Sequence, residues 1–195
     1  MAQYTPSSGD YCRPHRSPWG NFPTIALQLV SSIVASSVVP LGRCVAILGG
    51  ATTSAGQVIP SHALGGAPVL IAGIAAEAST NTSSAVAGPM VSIWEANPLV
   101  EFKAISKGAP IGSSLVSLRR SLAWDSTLNV NYVDLTASTA TDWRVCVTGT
   151  LPSLTGHADG DSGCYVSFKF LPHLTENIAT SVAVTSTTPI LAFFS

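Results

Sequence analysis

The sequence predicts a mainly β protein: a small β-barrel or β-sandwich with an extended N-terminal arm and at most one short helix. Its apolar runs are short and rich in β-branched residues, and clusters of Gly, Pro, Ser, Thr and Asn separate them, as in a meander of strands. Between Gly56 and Ile105 three such runs follow one another, each too short and too punctuated for a helix. The last of them alternates Val100, Phe102 and Ala104 with Glu101, Lys103 and Ile105, so one face is expected to be buried and the other to be wet and to carry a solvated Glu101/Lys103 pair. No period of 20 to 50 residues is visible, which excludes a solenoid or propeller.

Taken in order, residues 1–23 hold four prolines with Tyr4, Tyr11, Trp19 and Phe22 interspersed. Such a segment builds no core of its own, yet its aromatics ask for cover, so it is expected to be an arm that orders against a neighbouring subunit. Residues 24–105 then form a β-rich core. Within it, Thr24 to Val39 suits a strand pair better than a four-turn helix, because serine and β-branched residues are mediocre helix formers. Arg43 to Leu48 reads as a strand ended by Gly49-Gly50, followed by a short strand at Gln57-Val58-Ile59. Val69 to Ala76 reads as a strand buried on both faces, with Gly73 marking a bulge or a close backbone approach. Met90 to Trp94 and Leu99 to Ile105 flank Asn97-Pro98.

Residues 106–195 make a second β-rich portion with a docking tail. Ile111, Leu115, Leu118 and Leu122 recur at helical spacing, which predicts a short helix or a turn of one with Arg119 and Arg120 on its outer side. Strands are expected at Leu128 to Leu135, Trp143 to Val147 and Cys164 to Leu171, the last two joined by a loop from Leu151 to Gly163. The tail closes on Ile190-Leu191-Ala192-Phe193-Phe194, whose apolar area is expected to dock on its own sheet or on a neighbour.

At 195 residues the chain is long enough to bury a core without staples. Charged residues make up 10% of it, against a usual share of about 25%. A lone soluble monomer needs more charged surface, so much of this surface is expected to be covered by other chains. The net charge of -1, with no basic run longer than Arg119-Arg120, gives no electrostatic footprint for nucleic acid or an anionic membrane. Cys12, Cys44, Cys146 and Cys164 form no C-x-x-C pair and read as small buried hydrophobes. A membrane helix is not predicted, because the apolar part from Thr24 to Val39 is short, broken by Ser pairs and stopped by Pro40.

The order Gly56-Gln57-Val58, then Ile71-Ala72-Gly73-Ile74-Ala75-Ala76-Glu77-Ala78-Ser79, a Ser/Thr/Asn loop, Val91-Ser92-Ile93-Trp94-Glu95-Ala96-Asn97-Pro98 and Val100-Glu101-Phe102-Lys103-Ala104 resembles the small β proteins that decorate or cement the heads of tailed, cyanophage-like bacteriophages. The resemblance extends through Arg144 to Gly149 and Tyr165 to Phe170, covering roughly Leu41 to His173, and it is one of pattern. It implies a non-enzymatic structural virion protein on the capsid exterior. The implied partners are the major capsid protein and copies of itself, as a dimer or trimer, with no cofactor, nucleic acid or membrane. Tyr4, Tyr11, Trp19, Phe22, Phe193 and Phe194 are then the expected partner-binding residues.

Gly160-Asp161-Ser162-Gly163 offers a different chemistry, because it matches the nucleophile turn of chymotrypsin-like serine proteases. Ser162 is then the nucleophile, His62 the base, and Asp125, Asp134 or Asp142 its orienting group. Cys164 stands where that family has a second glycine, and His62 lacks the family's flanking residues. The same four residues are ordinary turn chemistry ahead of a strand. Asp159-Gly160-Asp161 presents only two local carboxylates, too few for calcium, which takes six to eight oxygens. A tail or receptor-binding component shares the β composition and differs in where it sits on the particle.

Overall fold

The computed structural model describes Ser7 and residues 9–29, 38–47, 58–60, 70–80, 89–136 and 144–171. Over these residues the chain is mainly β, in two principal sheets. The strands in chain order are β1 (Arg13–Arg16), β2 (Thr24–Gln28), β3 (Val38–Val39), β4 (Cys44–Ile47), β5 (Val58–Pro60), β6 (Leu70–Ala75) and β7 (Ser79–Thr80). They continue with β8 (Met90–Glu95), β9 (Glu101–Lys107), β10 (Arg119–Asp125), β11 (Val130–Asp134), β12 (Val145–Leu151) and β13 (Tyr165–Phe170).

The first sheet runs β1-β9-β11-β10-β12-β13 and closes on itself, because β13 also pairs with β9. One edge of β9 is shared end to end: Glu101 to Lys103 pair with β1, and Ile105 to Lys107 pair in parallel with β11. Closure leaves the ring of five strands without an open edge, which is how small β proteins avoid stray pairing. The second sheet runs β2-β8-β6-β4-β5 and is antiparallel throughout, and β3 pairs with β7 in a separate ribbon.

One apolar cluster joins the two sheets. Phe102, Val133, Val145, Val147, Val166, Phe168 and Phe170 of the first meet Cys44, Ala46, Ile71 and Ile74 of the second. A further cluster lies on the second sheet's other face, where Val45, Ala72, Ala75, Val91 and Ile93 gather with Leu29 and Val39. β6 is therefore buried on both faces, as its unbroken apolar run predicts. Its register against β4 slips at Ala72, so Ile71 and Ile74 share one face while Ala72 and Ala75 share the other. Gly73 sits at this bulge with the backbone of Trp94 pressed against it: a Cβ there would lie 2.0 Å from the Trp94 carbonyl oxygen.

The helical spacing of Ile111, Leu115, Leu118 and Leu122 does not make an α-helix. A single 3-10 turn covers Ser113–Leu115, and Arg119 and Arg120 open strand β10 instead. Ile111 and Leu115 are buried while Leu118 is exposed, so the spacing does not mark one buried face. Gly108, with a φ of 96°, helps break the chain after β9, and Ser117 N-H donates to the Val147 carbonyl, committing the segment to the strand ladder.

The division at residue 105 falls inside β9, so residues on either side of it share one strand and one core. The described part of the N-terminal segment is likewise built into its own chain. β1 pairs with β9, Cys12 is fully buried in the main cluster, and Asp10 accepts a 2.8 Å hydrogen bond from the buried Tyr165 hydroxyl.

Candidate functional site

Among the described residues a polar grouping lies on the face of the first sheet opposite its main apolar cluster, centred on Glu101. Two β-bulges converge there. His15 is the extra residue where β1 slips against β9, and Thr148 is the extra residue where β12 slips against β13. Bulges re-aim side chains, and Thr148 donates its hydroxyl to Glu101 at 2.5 Å while lying 3.0 Å from the Ser167 hydroxyl. Arg16 approaches the same carboxylate at 4.0 Å. The expected solvated Glu101/Lys103 pair is thus replaced: Glu101 is half-buried and engages Thr148 and Arg16, while the Lys103 ammonium lies over the Tyr165 ring.

Partial burial sets the ionisation here. It works to raise the Glu101 carboxyl, but Thr148, Ser167, Arg16 and His15 outweigh it and hold the group below its ordinary value. Burial lowers His15, against the pull of Glu101. Burial, with Arg13 alongside, also lowers Lys103. The arrangement is a hydrogen-bonded polar patch that pins β1 and β12 to β9.

Gly160-Asp161-Ser162-Gly163 forms a tight turn held from outside. Gly160 N-H donates to the Ile111 carbonyl at 2.8 Å, and Ile111 N-H donates to the Asp161 carbonyl at 2.9 Å. An oxyanion hole on this turn needs the Gly160 N-H, and that group is already bound to the chain's own backbone. Asp161 faces His157 Nδ1 at 3.2 Å and accepts from Ala158 N-H, whereas Asp159 lies 3.4 Å from the Thr150 hydroxyl. Asp125 is held by Lys107 and by the Thr127 and Leu128 N-H groups, and Asp134 by Thr136. His62 and Asp142 lie outside the described residues. Among the described residues no cluster of three His, Cys, Asp or Glu side chains could hold a metal, and no helix is long and apolar enough to cross a membrane.

Of the expected partner-binding residues, Trp19 and Phe22 are exposed, at 53% and 37%, while Tyr11 is half-buried with the Arg13 guanidinium over its ring. Tyr4, Phe193 and Phe194 lie outside the described residues. No protein family, curated protein or solved structure matches the chain. Exposed apolar side chains also occur at Ile25, Met90 and Leu99. Cys12, Cys44 and Cys164 are buried, and burial, with Cys44 nearby, raises the Cys12 thiol.

Sequence reasoning missed Arg43. It is 3% exposed, stacks on the Trp124 ring with its guanidinium carbon 3.2 Å from the centroid, and has no hydrogen-bond partner for Nε or Nη2. Its only sequence signal is a lone charge between Gly42 and an apolar strand. Burial lowers it to about 10. The folded value lies below the unfolded one, so the cost is full at neutral pH and is relieved only as pH rises past about 10. Arg43→Met keeps an apolar stem over Trp124 and removes the charge. It is expected to raise the unfolding free energy by about 1–3 kcal/mol, read from denaturant midpoints. An unchanged or lower midpoint would contradict the reading of this charge as a net cost.

Proposed function

We propose that the chain is a structural virion protein that binds the exterior of a tailed-phage head and cements the lattice of the major capsid protein. The observation that carries this reading is the exposed aromatic pair Trp19 and Phe22, lying in a stretch from Ser17 to Gly42 that holds no charged residue. A solvated surface rarely concentrates aromatics and excludes charge in this way, and a surface covered by a partner does both. The resemblance of pattern and the two-sheet β architecture support the same reading. The mechanism is mass action: a protein that binds only the assembled shell adds its binding free energy to that shell and resists internal DNA pressure. Self-association spreads each contact over several capsomers. The activity needs no cofactor, nucleic acid or membrane.

The test is binding to phage heads stripped of accessory proteins. Trp19→Ser combined with Phe22→Ser should leave the melting transition in place, because both side chains are exposed. Affinity for the heads should fall on the order of tenfold or more, as expected when aromatic anchors are lost. Unchanged affinity would sink the proposed role of these residues. Deleting residues 1–22 is a poorer test, since it also removes β1, buried Cys12 and the Asp10 partner of Tyr165.

A further inference from the structure

We infer that β2 is a self-pairing edge, and that two copies of the chain join there in antiparallel register about a two-fold axis at Ile25. Among the described residues β2 has one strand neighbour, β8, and Thr24, Ile25 and Ala26 are all exposed. The direction of each backbone group follows from the pairing. Leu29 N-H donates to the Pro89 carbonyl and Glu95 N-H donates to the Pro23 carbonyl, in the register that sets Ile25 opposite Ile93. Odd residues of β2 therefore turn their N-H and C=O groups toward β8. Thr24 and Ala26 turn theirs outward.

That spacing is self-complementary. With Ile25 opposite Ile25 of the second copy, Thr24 of each chain faces Ala26 of the other. Two hydrogen-bonded residue pairs result, with four N-H to O=C bonds. The two Ile25 side chains meet at the non-hydrogen-bonded position between them, about 4.5 Å apart at Cα. A two-fold contact sets each residue near the axis beside its own copy, so a charge there would face a like charge. None lies between Ser17 and Gly42. The usual edge guards are missing from β2 as well: it holds no lysine, no proline and no bulge. Pro23 does not block the edge, since its missing N-H lies on the β8 side.

This inference deepens the proposed function by naming the contact between copies, but it is tested with no phage head present, so the two can fail separately. Sedimentation velocity of the purified full chain should show a concentration-dependent dimer. Ile25→Lys, at a 39% exposed side chain, should leave the circular dichroism unchanged and weaken dimerisation on the order of tenfold or more. Ile25→Glu should do the same, and an equimolar mixture of the two variants should recover the dimer, because only in this register do the opposite charges meet. A monomeric wild type, as expected if the edge takes a strand from another protein, would overturn the inference. So would a wild-type dimer untouched by Ile25→Lys, or a mixture that stays monomeric.

Discussion

Replacing Gly73 by alanine is expected to destabilise the protein by roughly 3 kcal/mol, the upper end of the usual range for overpacking. The added Cβ would lie 2.0 Å from the Trp94 carbonyl oxygen, 2.9 Å from its carbonyl carbon and 3.2 Å from Glu95 Cα. All three obstacles are backbone, so no rotamer change relieves them. β8 would have to withdraw from β6 just where Gly73 pairs with Glu95 and Ile74 with Trp94. Those strands are central in the second sheet, and Ile74 carries its contact into the main cluster. Gly112→Ala is the matched control: its φ of -175° is ordinary extended backbone, and the nearest atom to a new Cβ is 4.0 Å away. That change should stay within about 0.5 kcal/mol. Urea midpoints of the two variants check the contrast.

Phe102→Ala is expected to cost about 3–5 kcal/mol, a large share of the roughly 5–15 kcal/mol that keeps a domain folded. Phe102 is fully buried, stacks on Phe168 at 6.0 Å and meets Phe170 edge-on at 5.1 Å, while Phe168 and Phe170 meet edge-on at 5.6 Å. These strands are also the ones that close the ring, through the pairing of Phe102 with Phe168. The cavity would open beside two rigid rings held by ladder hydrogen bonds, and such a site collapses poorly. The denaturant midpoint should fall sharply with an unchanged slope. A loss below about 1 kcal/mol would show that the three-ring cluster is not the packing centre.

Much of the fold is legible in the sequence because strand periodicity and turn residues are local signals. The unbroken run around Gly73 announced a doubly buried strand with a bulge, and the alternation at Phe102 announced its buried face, but Ile105, which that alternation set on the wet face, is fully buried with Val130 and Tyr165. The segment from Ser106 to Asp125 was read only in part: a helical turn forms at Ser113–Leu115, but Arg119 and Arg120 open a strand, for an equally physical reason. Apolar residues spaced four, three and four apart also arise when a 3-10 turn is followed by a strand, and the neighbouring ladder of β12 decides between them. The closure of β13 onto β9 had no sequence signal, since pairing across more than 50 residues is set by the whole packed core.

The surface was less legible. Trp19 and Phe22 stand out in the sequence as aromatics in a Pro-rich segment, and both are exposed. The Glu101 patch was misread as solvated charge because the bulges at His15 and Thr148, which bring its partners in, depend on strand register. Arg43 was invisible because its burial depends on Trp124, far away in the chain. The Gly160 to Gly163 motif was visible, and what the sequence did not show is that Ile111 holds its backbone.

The most direct test of the proposed role is co-sedimentation of the purified full chain with mature tailed-phage heads stripped of accessory proteins. The account predicts saturable pelleting at a fixed ratio to the major capsid protein, with loaded heads surviving heat or chelation that bursts bare ones. Pelleting that never saturates, or none at all, would contradict it and move the chain to the tail or off the particle.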